Sequence, residues 1–489
     1  MSALAELVDA TFEPGDDPLV TDVTHDSREV EPGSMYVAVR GGNVDGHVFV
    51  RAAVDSGAVA VCVDHPMESG VAELIVADTR QVMGELAAAV HGHPSLSLDV
   101  VGVTGTNGKT TVTHYIESIA TDAGSATGLV GTIHTRTAGA SAPATLTTPE
   151  APQFQRLLAG MRDQGVGLVA AEVSSHALEY GRVRGTRFAV AAFTNISQDH
   201  LDFHGDMEAY RDAKKRLFTD YEVGTAVVNV DDPTGAEIAS TYRGQMLTVG
   251  QGGDFSITEI EPARGRTSFT VSSSHGSRRL NAPVIGDFNV FNLVMAGACC
   301  IAVGIPAGEA YEAMTGVRGV PGRFELVSGE DPITVIVDYA HTPEGVATAV
   351  RTGRRLGQGR VIALLGAGGD RDRRKRPAMG AALSRADLAV VTSDNPRRED
   401  PAEIAAAVMS GVESDTEHIL EIDRRRAIDI AIDHADEGDI VLVLGRGHEP
   451  FQDLGTEKVE FDDRQVAAES LRRRRRSSGS GGRSGSMST

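Results

Sequence analysis

Apolar positions in this chain fall in short continuous runs, each closed by a turn rich in glycine, threonine or asparagine and most followed by a stretch of helical period. Val100–Val103, Val166–Ala171, Phe188–Phe193 and Val227–Val228 repeat the theme through the middle of the chain; VIVDYAHTPEGV, VIALLGAGGDRDRRKRPAMG, LAVVTSDNPRREDP and IVLVLGRGHEPF repeat it near the end. Runs without polar alternation predict strands buried on both faces, hence mostly parallel sheets with helices packed on each side. Before them, Met35–Val39 and Ala58–Val63, separated by turn residues and one helical stretch, predict a small α/β unit.

The pattern divides the chain into an N-terminal unit (1–97), a central unit (98–322), a C-terminal unit (323–470) and a tail (471–489). Pro94–Ser97 is the expected linker. The tail, RRRRRSSGSGGRSGSMST from Arg472, has almost no apolar content and is expected to be disordered. In Met207–Phe218, helical spacing puts Met207, Tyr210, Lys214 and Leu217 on one face, with Arg211 and Lys215 elsewhere. In LTTPEAPQFQRLLAGM, Thr148 is a candidate helix cap ahead of Pro149 and Glu150. In GDFNVFNLVMAG, Asn289 and Asn292 open an apolar helix, where they can cap it or meet an adenine.

The run from Val100 ends in TGTNGKTT, and here chemistry enters. Glycines at 102, 105 and 108 let backbone N–H groups converge on an anion, the following helix offers its positive end, and Lys109 adds a point charge. Gly105, Thr106, Asn107, Gly108, Lys109, Thr110 and Thr111 form the candidate phosphate loop, with the Thr110 hydroxyl free to meet Mg²⁺. Val103 stands where the usual motif has its first glycine, and Gly102 lies one residue early. Glu172 and the TNISQDHLDFHG segment follow two later strands. Since ligands in open α/β sheets collect at such carboxyl ends, Glu172 and either His200 or His204 become candidate metal ligands.

Lys109, Lys214, Lys215, Lys375 and Lys458 are the only lysines in a chain that otherwise uses arginine, a hint that an amine is needed where one persists. Two readings fit Lys214. Its stem can snorkel from the apolar face, or a desolvated, neutral amine can react with CO₂ to give a metal-binding carbamate. In the N-terminal unit, Asp26–Arg28 and the turn Gly41–His47 offer hydrogen-bonding groups that fit either a ligand or a surface loop. The GAGGDR turn has Arg371 where a dinucleotide fingerprint needs glycine, which argues against a NAD enzyme. In DNPR, Arg397 can grip a carboxylate through two parallel hydrogen bonds while Asp394 and Asn395 receive an ammonium; an Asx-Pro turn opening a helix accounts for Asn395-Pro396 only.

Composition narrows the class. A net charge of −22 argues against nucleic-acid or anionic-membrane partners, and the absence of a long apolar run or signal-like start points to the cytoplasm. Cys62, Cys299 and Cys300 lack metal-ligand spacing and are expected as small core residues.

TGTNGKTT, TTPE, EVSSHALEYGR, TNISQDHLDFHG, DAKKRLF, GDFNVFN, VPGRFE, VDYAHTPE, GAGGDRDRRKRPAMG, DNPR and GRGHE occur in an order that resembles the Mur ligase family, over roughly residues 20–470. The resemblance is narrower still to its diaminopimelate-adding branch. It implies a UDP-binding N-terminal domain, a central P-loop ATPase domain and a Rossmann-like, doubly wound C-terminal domain that brings the amino acid. It implies that a monomer joins meso-diaminopimelate to UDP-N-acetylmuramoyl-L-Ala-D-Glu with ATP and Mg²⁺. By the same resemblance Ser27 and His47 meet the UDP part, while Thr147, Thr148, Ser174, Tyr180 and Arg182 hold the sugar, peptide or diphosphate; Tyr180 stands where a glutamine can occur. Lys109 and Thr110 bind phosphate and Mg²⁺, with Glu172, His200 and a carbamylated Lys214 completing two metal positions. Asn289, Asn292, Arg323, Asp338 and His341 surround the nucleotide, and Arg371, Asp394, Asn395, Arg397, Gly445 and Glu449 hold diaminopimelate. The alternatives are a lysine-adding or folylpolyglutamate-forming relative, or a P-loop switch that hydrolyses ATP without an amine acceptor.

Overall fold

The computed structural model describes residues 1–12, 17–42 and 44–480. In the first unit, strands β1 (Thr11–Phe12), β2 (Asp22–Thr24), β3 (Ser34–Val37), β4 (Ala60–Val63) and β5 (Ala72–Ile75) form a sheet in the order β1-β5-β4-β3-β2, parallel except for β1. Met35, Val37, Cys62 and Leu74 are buried against Met83, Leu86 and Ala87 of the helix Thr79–Val90. The expected linker is not a free tether: Pro94 and Ser95 are buried, and the Ser95 hydroxyl accepts the Arg187 N–H at 3.1 Å.

The central sheet contains β6 (Asp99–Thr104), β7 (Thr127–Val130), β8 (His134–Thr137), β9 (Ala140–Pro143), β10 (Leu168–Glu172), β11 (Phe188–Phe193), β12 (Val223–Asn229) and β13 (Gln245–Val249), in the order β13-β12-β11-β6-β10-β7-β8-β9. The strands from β13 to β7 are parallel, and β8 and β9 add an antiparallel edge. β6 lies between β10 and β11, where the winding reverses. The pairings Glu172 with Val103 and Phe193 with Thr104 bring three strand ends level at this switch point, so their loops share one crevice.

The helices Lys109–Asp122 and Asp287–Ala302 cover one face with Val112, Ile116, Leu293 and Met295; Phe154, Leu158 and Leu217 cover the other. Cys62, Cys299 and Cys300 are buried free thiols. The pattern of apolar runs did not anticipate an antiparallel meander at β14 (Ser256–Ala263), β15 (Arg266–Ser273) and β16 (Gly276–Ala282). Its apolar positions are single residues set among serines and arginines, and Phe269, Val271, Leu280 and Ala282 anchor it to the core with Ile257 and Ile260 packed alongside.

The third sheet holds β17 (Glu325–Leu326), β18 (Thr334–Asp338), β19 (Val361–Ala367), β20 (Leu388–Ser393), β21 (Glu417–Leu420) and β22 (Ile440–Leu444), in the order β17-β18-β22-β19-β20-β21 and parallel except for β17. Asp338 and Leu365 both register with Leu444, so the segments after β18, β19 and β22 emerge together.

Three local expectations change. The tail is helical as far as Ser480, in a helix from Asp463 on which Leu471 is buried and Arg475 pairs with Asp331 at 2.5 Å; residues 481–489 lie outside the described residues. The arginine run thus has acidic partners that its composition does not reveal. Thr148 does not cap the helix Ala151–Asp163, whose cap position is Glu150. Asn289 and Asn292 do not cap theirs either: Gly286 holds the cap position of Asp287–Ala302, and the Asn289 amide donates back to the Ile285 carbonyl at 3.1 Å.

Candidate functional site

The phosphate loop leaves β6 and enters the helix Lys109–Asp122 through Gly108, whose φ of +90° suits glycine. A Cβ there would lie 2.7 Å from Asn292 Oδ1, so the loop and the Asp287–Ala302 helix approach as closely as a glycine allows. Asn292 is therefore beneath the loop, and its amide donates to Asn289 Oδ1 at 3.3 Å.

Glu172 ends β10 and is fully buried. Its carboxylate accepts from Thr110 Oγ1 at 3.0 Å, Thr132 N at 2.7 Å and Thr132 Oγ1 at 3.1 Å, and it forms no ion pair among the described residues. A buried carboxylate beside a hydroxyl and without a cation suits a hard metal ion. Thr132 was missed from the sequence, although it follows β7 at the same sheet end that singled out Glu172.

Lys214 does not follow the snorkelling reading. It is 1 % exposed, and its amine donates to the Gly105 carbonyl at 2.8 Å, so it does not snorkel to water. Lys109 donates to the same carbonyl at 2.9 Å and to Thr106 O at 3.1 Å. Burial, and then the neighbouring Lys109, push the Lys214 ammonium well below the usual lysine range. Tyr210, one turn earlier, lies under the Lys214 amine at 4.5 Å and holds Thr106 Oγ1 at 3.0 Å.

After β11, His200 takes a left-handed turn with φ of +55°, held by Asp199 Oδ1 accepting the His200 backbone N–H at 3.0 Å. His204 is engaged with Ser175 Oγ at 2.9 Å, leaving His200 as the freer imidazole. Glu172 and His200 do not gather with a third ligating side chain. The one such cluster among the described residues is His47, Asp64 and His65 in the N-terminal unit.

The C-terminal unit closes over the loop. Arg323 donates to Thr110 Oγ1 at 3.1 Å while stacking on Tyr339 at 4.3 Å, which puts its guanidinium beside the start of the Lys109–Asp122 helix. Asp338 is spent on backbone: it accepts from Phe324 N at 2.7 Å and Ala340 N at 3.0 Å, and burial raises its pKa. His341 Nε2 faces Asp199 at 3.7 Å.

The residues expected around the sugar-peptide part converge at the junction with the first unit. Thr148 donates to Glu172 O at 2.7 Å and accepts from Ser174 N at 3.2 Å, Thr147 meets Thr132 at 3.1 Å, and Arg182 donates to Thr148 O at 3.4 Å. Arg80 and Arg182 flank the Tyr180 ring at 5.0 and 5.6 Å. Glu150, also unanticipated, joins Arg182 at 2.7 Å and Arg80 at 3.6 Å. Ser27 opens the short turn Ser27–Glu29, and Glu29 bonds Gln153 at 3.1 Å. His47 is buried, with Asp45 of its own turn on Nδ1 at 2.6 Å and the N–H of Asp64, the residue after β4, on Nε2 at 3.3 Å, so both ring nitrogens have partners within the N-terminal unit.

At the end of the third sheet, Asn395 donates to Glu449 at 2.6 Å and accepts from Asp453 N at 2.9 Å. Burial and then the neighbouring Asp394 raise the Glu449 pKa, so two carboxylates share a site that a cation would relieve. Gly445 has φ of +113°, and a Cβ there would lie 2.7 Å from Asp394 Oδ2. Arg397 donates to Gly369 O at 2.6 Å and forms no ion pair among the described residues, while Arg371 is exposed nearby in sequence. DNPR does not open a helix: the next one, Pro401–Met409, is capped by Asp400.

Three family models match in tandem: "Mur ligase family, catalytic domain" at 19–91, "Mur ligase middle domain" at 103–300 and "Mur ligase, glutamate ligase domain" at 322–447. The chain is 44% identical over 474 residues to the UDP-N-acetylmuramoyl-L-alanyl-D-glutamate–2,6-diaminopimelate ligase of Geobacillus thermodenitrificans, covering 94% of this chain and 96% of the relative. It is 43% identical to the Aquifex aeolicus protein of that name, with 92% and 94% covered. A solved structure of a ligase of the same name superposes with a TM-score of 0.68 at 32% identity, covering 93% of this chain and 95% of that one.

Proposed function

Because the chain belongs to the Mur ligase family, we propose that it is an ATP-dependent, ADP-forming ligase that joins meso-2,6-diaminopimelate to UDP-N-acetylmuramoyl-L-Ala-D-Glu in peptidoglycan precursor synthesis. The observation that carries the reading is the pairing of two unlike crevices: a phosphate loop that holds Lys109 and Lys214 on one carbonyl near the buried Glu172, and a carboxylate pair beside an arginine of DNPR that has no ion-pair partner among the described residues.

A carboxylate is a poor electrophile. The D-glutamyl γ-carboxylate attacks the ATP γ-phosphoryl group, giving an acyl phosphate and ADP; the amine of the amino acid then attacks the acyl carbon, and phosphate leaves. Lys109 and Arg323 face the phosphates and offset the repulsion between two anions. Thr110 and Glu172 would hold one Mg²⁺, and His200 with Lys214 another; Mg²⁺ supplies charge neutralisation to the transferring phosphoryl group. Lys214 suits this as a carbamate: its neutral amine adds CO₂, releases one proton and becomes an anion. Asp394 and Glu449 receive the distal ammonium of diaminopimelate, and Arg397 receives the distal carboxylate. No described helix is long and apolar enough to cross a membrane, and we place the enzyme in the cytoplasm as a monomer acting on small, water-soluble substrates.

The test is ADP release from Mg²⁺-ATP and UDP-N-acetylmuramoyl-L-Ala-D-Glu with meso-diaminopimelate, with L-lysine and with no amino acid. Release that depends on diaminopimelate is expected. Equal use of lysine would sink the specificity argument, and release indifferent to any acceptor would reduce the chain to an ATPase switch.

A further inference from the structure

Asp199 is buried at the seam between the central and C-terminal units, and no part of the ligase reading above uses it. Its contacts come from both sides of the seam. From the central unit, Oδ1 accepts the His200 N–H at 3.0 Å, which holds the left-handed turn at that histidine, and Oδ2 lies 3.5 Å from His200 Nε2. From the C-terminal unit, Lys375 reaches Oδ1 at 3.4 Å from the first turn of the helix Lys375–Leu383, and His341 Nε2 faces Oδ2 at 3.7 Å from the segment after β18. Lys375 is itself largely buried, with 12 % of its side chain exposed, although a lysine on a helix start would ordinarily point to water. It also ends the GAGGDRDRRK segment that carries Arg371.

We propose that Asp199 is the central half of an interdomain clasp, with Lys375 and His341 as its other half, and that the clasp ties the amino-acid-binding unit to the backbone turn that aims His200. Asp199 is then a positioning residue: it touches no reacting atom, but one carboxylate holds both the turn and the neighbouring domain. An ion pair on a free surface would carry little of this, whereas a pair shielded in a seam leaves its partner buried and unpaired when one member is removed. The proposal rests on the ligase reading only for its kinetic arm.

In that arm, kcat/KM for meso-diaminopimelate is measured for Asp199→Asn, Lys375→Met and the double variant. Each single change is expected to lower it about 5- to 150-fold, the usual range for coupling between sites, and the double variant should fall no further than the worse single. Losses that multiply would overturn the clasp. Lys375→Arg, which keeps the charge, should recover most of the loss. A second readout needs no activity: amide hydrogen exchange in the substrate-free protein. Lys375→Met should speed exchange at 200–205, across the seam from the substitution, and exchange there unchanged from wild type would overturn the proposal even if Asp199→Asn fails to fold. Should the wild-type enzyme make no tripeptide product, the ligase reading fails while the exchange measurement still decides the clasp.

Discussion

The carboxyl ends of the two large parallel sheets are built alike and charged oppositely. At the central sheet, Lys109 and Arg323 bring positive charge to the phosphate loop from two units, and the Lys214 amine shares the Gly105 carbonyl with Lys109. At the C-terminal sheet, Asp394 and Glu449 crowd together, with Arg397 held aside by Gly369 O. The winding of a parallel sheet decides where a ligand sits; the residues in the loops decide its charge. At the C-terminal crevice the protein keeps two carboxylates close, an arrangement that costs stability until a cation arrives, and at the central one burial beside Lys109 disfavours the Lys214 ammonium.

The largest effect that would break this contrast is in amino-acid choice. A guanidinium built to receive a carboxylate can reject an analogue lacking it by about 10⁴. Arg397→Ala should collapse the preference for meso-diaminopimelate over L-lysine to roughly 10–100-fold, read from the two kcat/KM values. Next, on the anion side, Lys109→Met should lower kcat by about 10²–10³, the usual loss for one charge-stabilising donor, with binding of the amino acid little changed. Lys214→Ala should cost at least about 10² in kcat, more than removing a residue behind a metal ligand does. If bicarbonate-free buffer also slows the wild type reversibly, the carbamate is supported.

Smaller again, Glu449→Gln should raise the KM for diaminopimelate about tenfold with little change in that for ATP, because one carboxylate of the pair remains for the ammonium. The smallest effect concerns stability. The Lys214 ammonium is disfavoured in the folded protein, so its folded pKa lies below its unfolded one. Between those two values the unfolded chain binds more protons, and stability rises with pH. In CO₂-free buffer, Lys214→Met should therefore raise Tm by a few °C at about pH 7, and the gain should shrink toward about pH 10. A constant gain would mean that the amine is not neutralised by burial.

The strands were readable because runs such as Val100–Val103 and Ile440–Leu444 are buried on both faces and need no partner to be recognised. The phosphate loop was readable because its glycines are a local backbone requirement, as Gly108 demonstrates. DNPR was readable in part: the arginine signalled a carboxylate and the family resemblance pointed to Glu449, but the support from Gln452 and Asp453 comes from β23 (Phe451–Asp453), at the far end of the unit. Thr148 misled because Thr-Pro-Glu is also a good helix start; packing against Ser174 and the Glu172 carbonyl claimed its hydroxyl instead.

The sequence by itself determined the alternation of strand and helix, the order of the units and the identity of both loops, since each depends on residues within a few positions of one another. Tertiary structure alone decided that the Lys214 amine is sealed from water, that His47 Nε2 meets the Asp64 N–H beyond β4 and that Asp199 meets Lys375 across a seam. Those facts depend on desolvation and on partners far away in the chain, and neither is encoded in any single stretch of it.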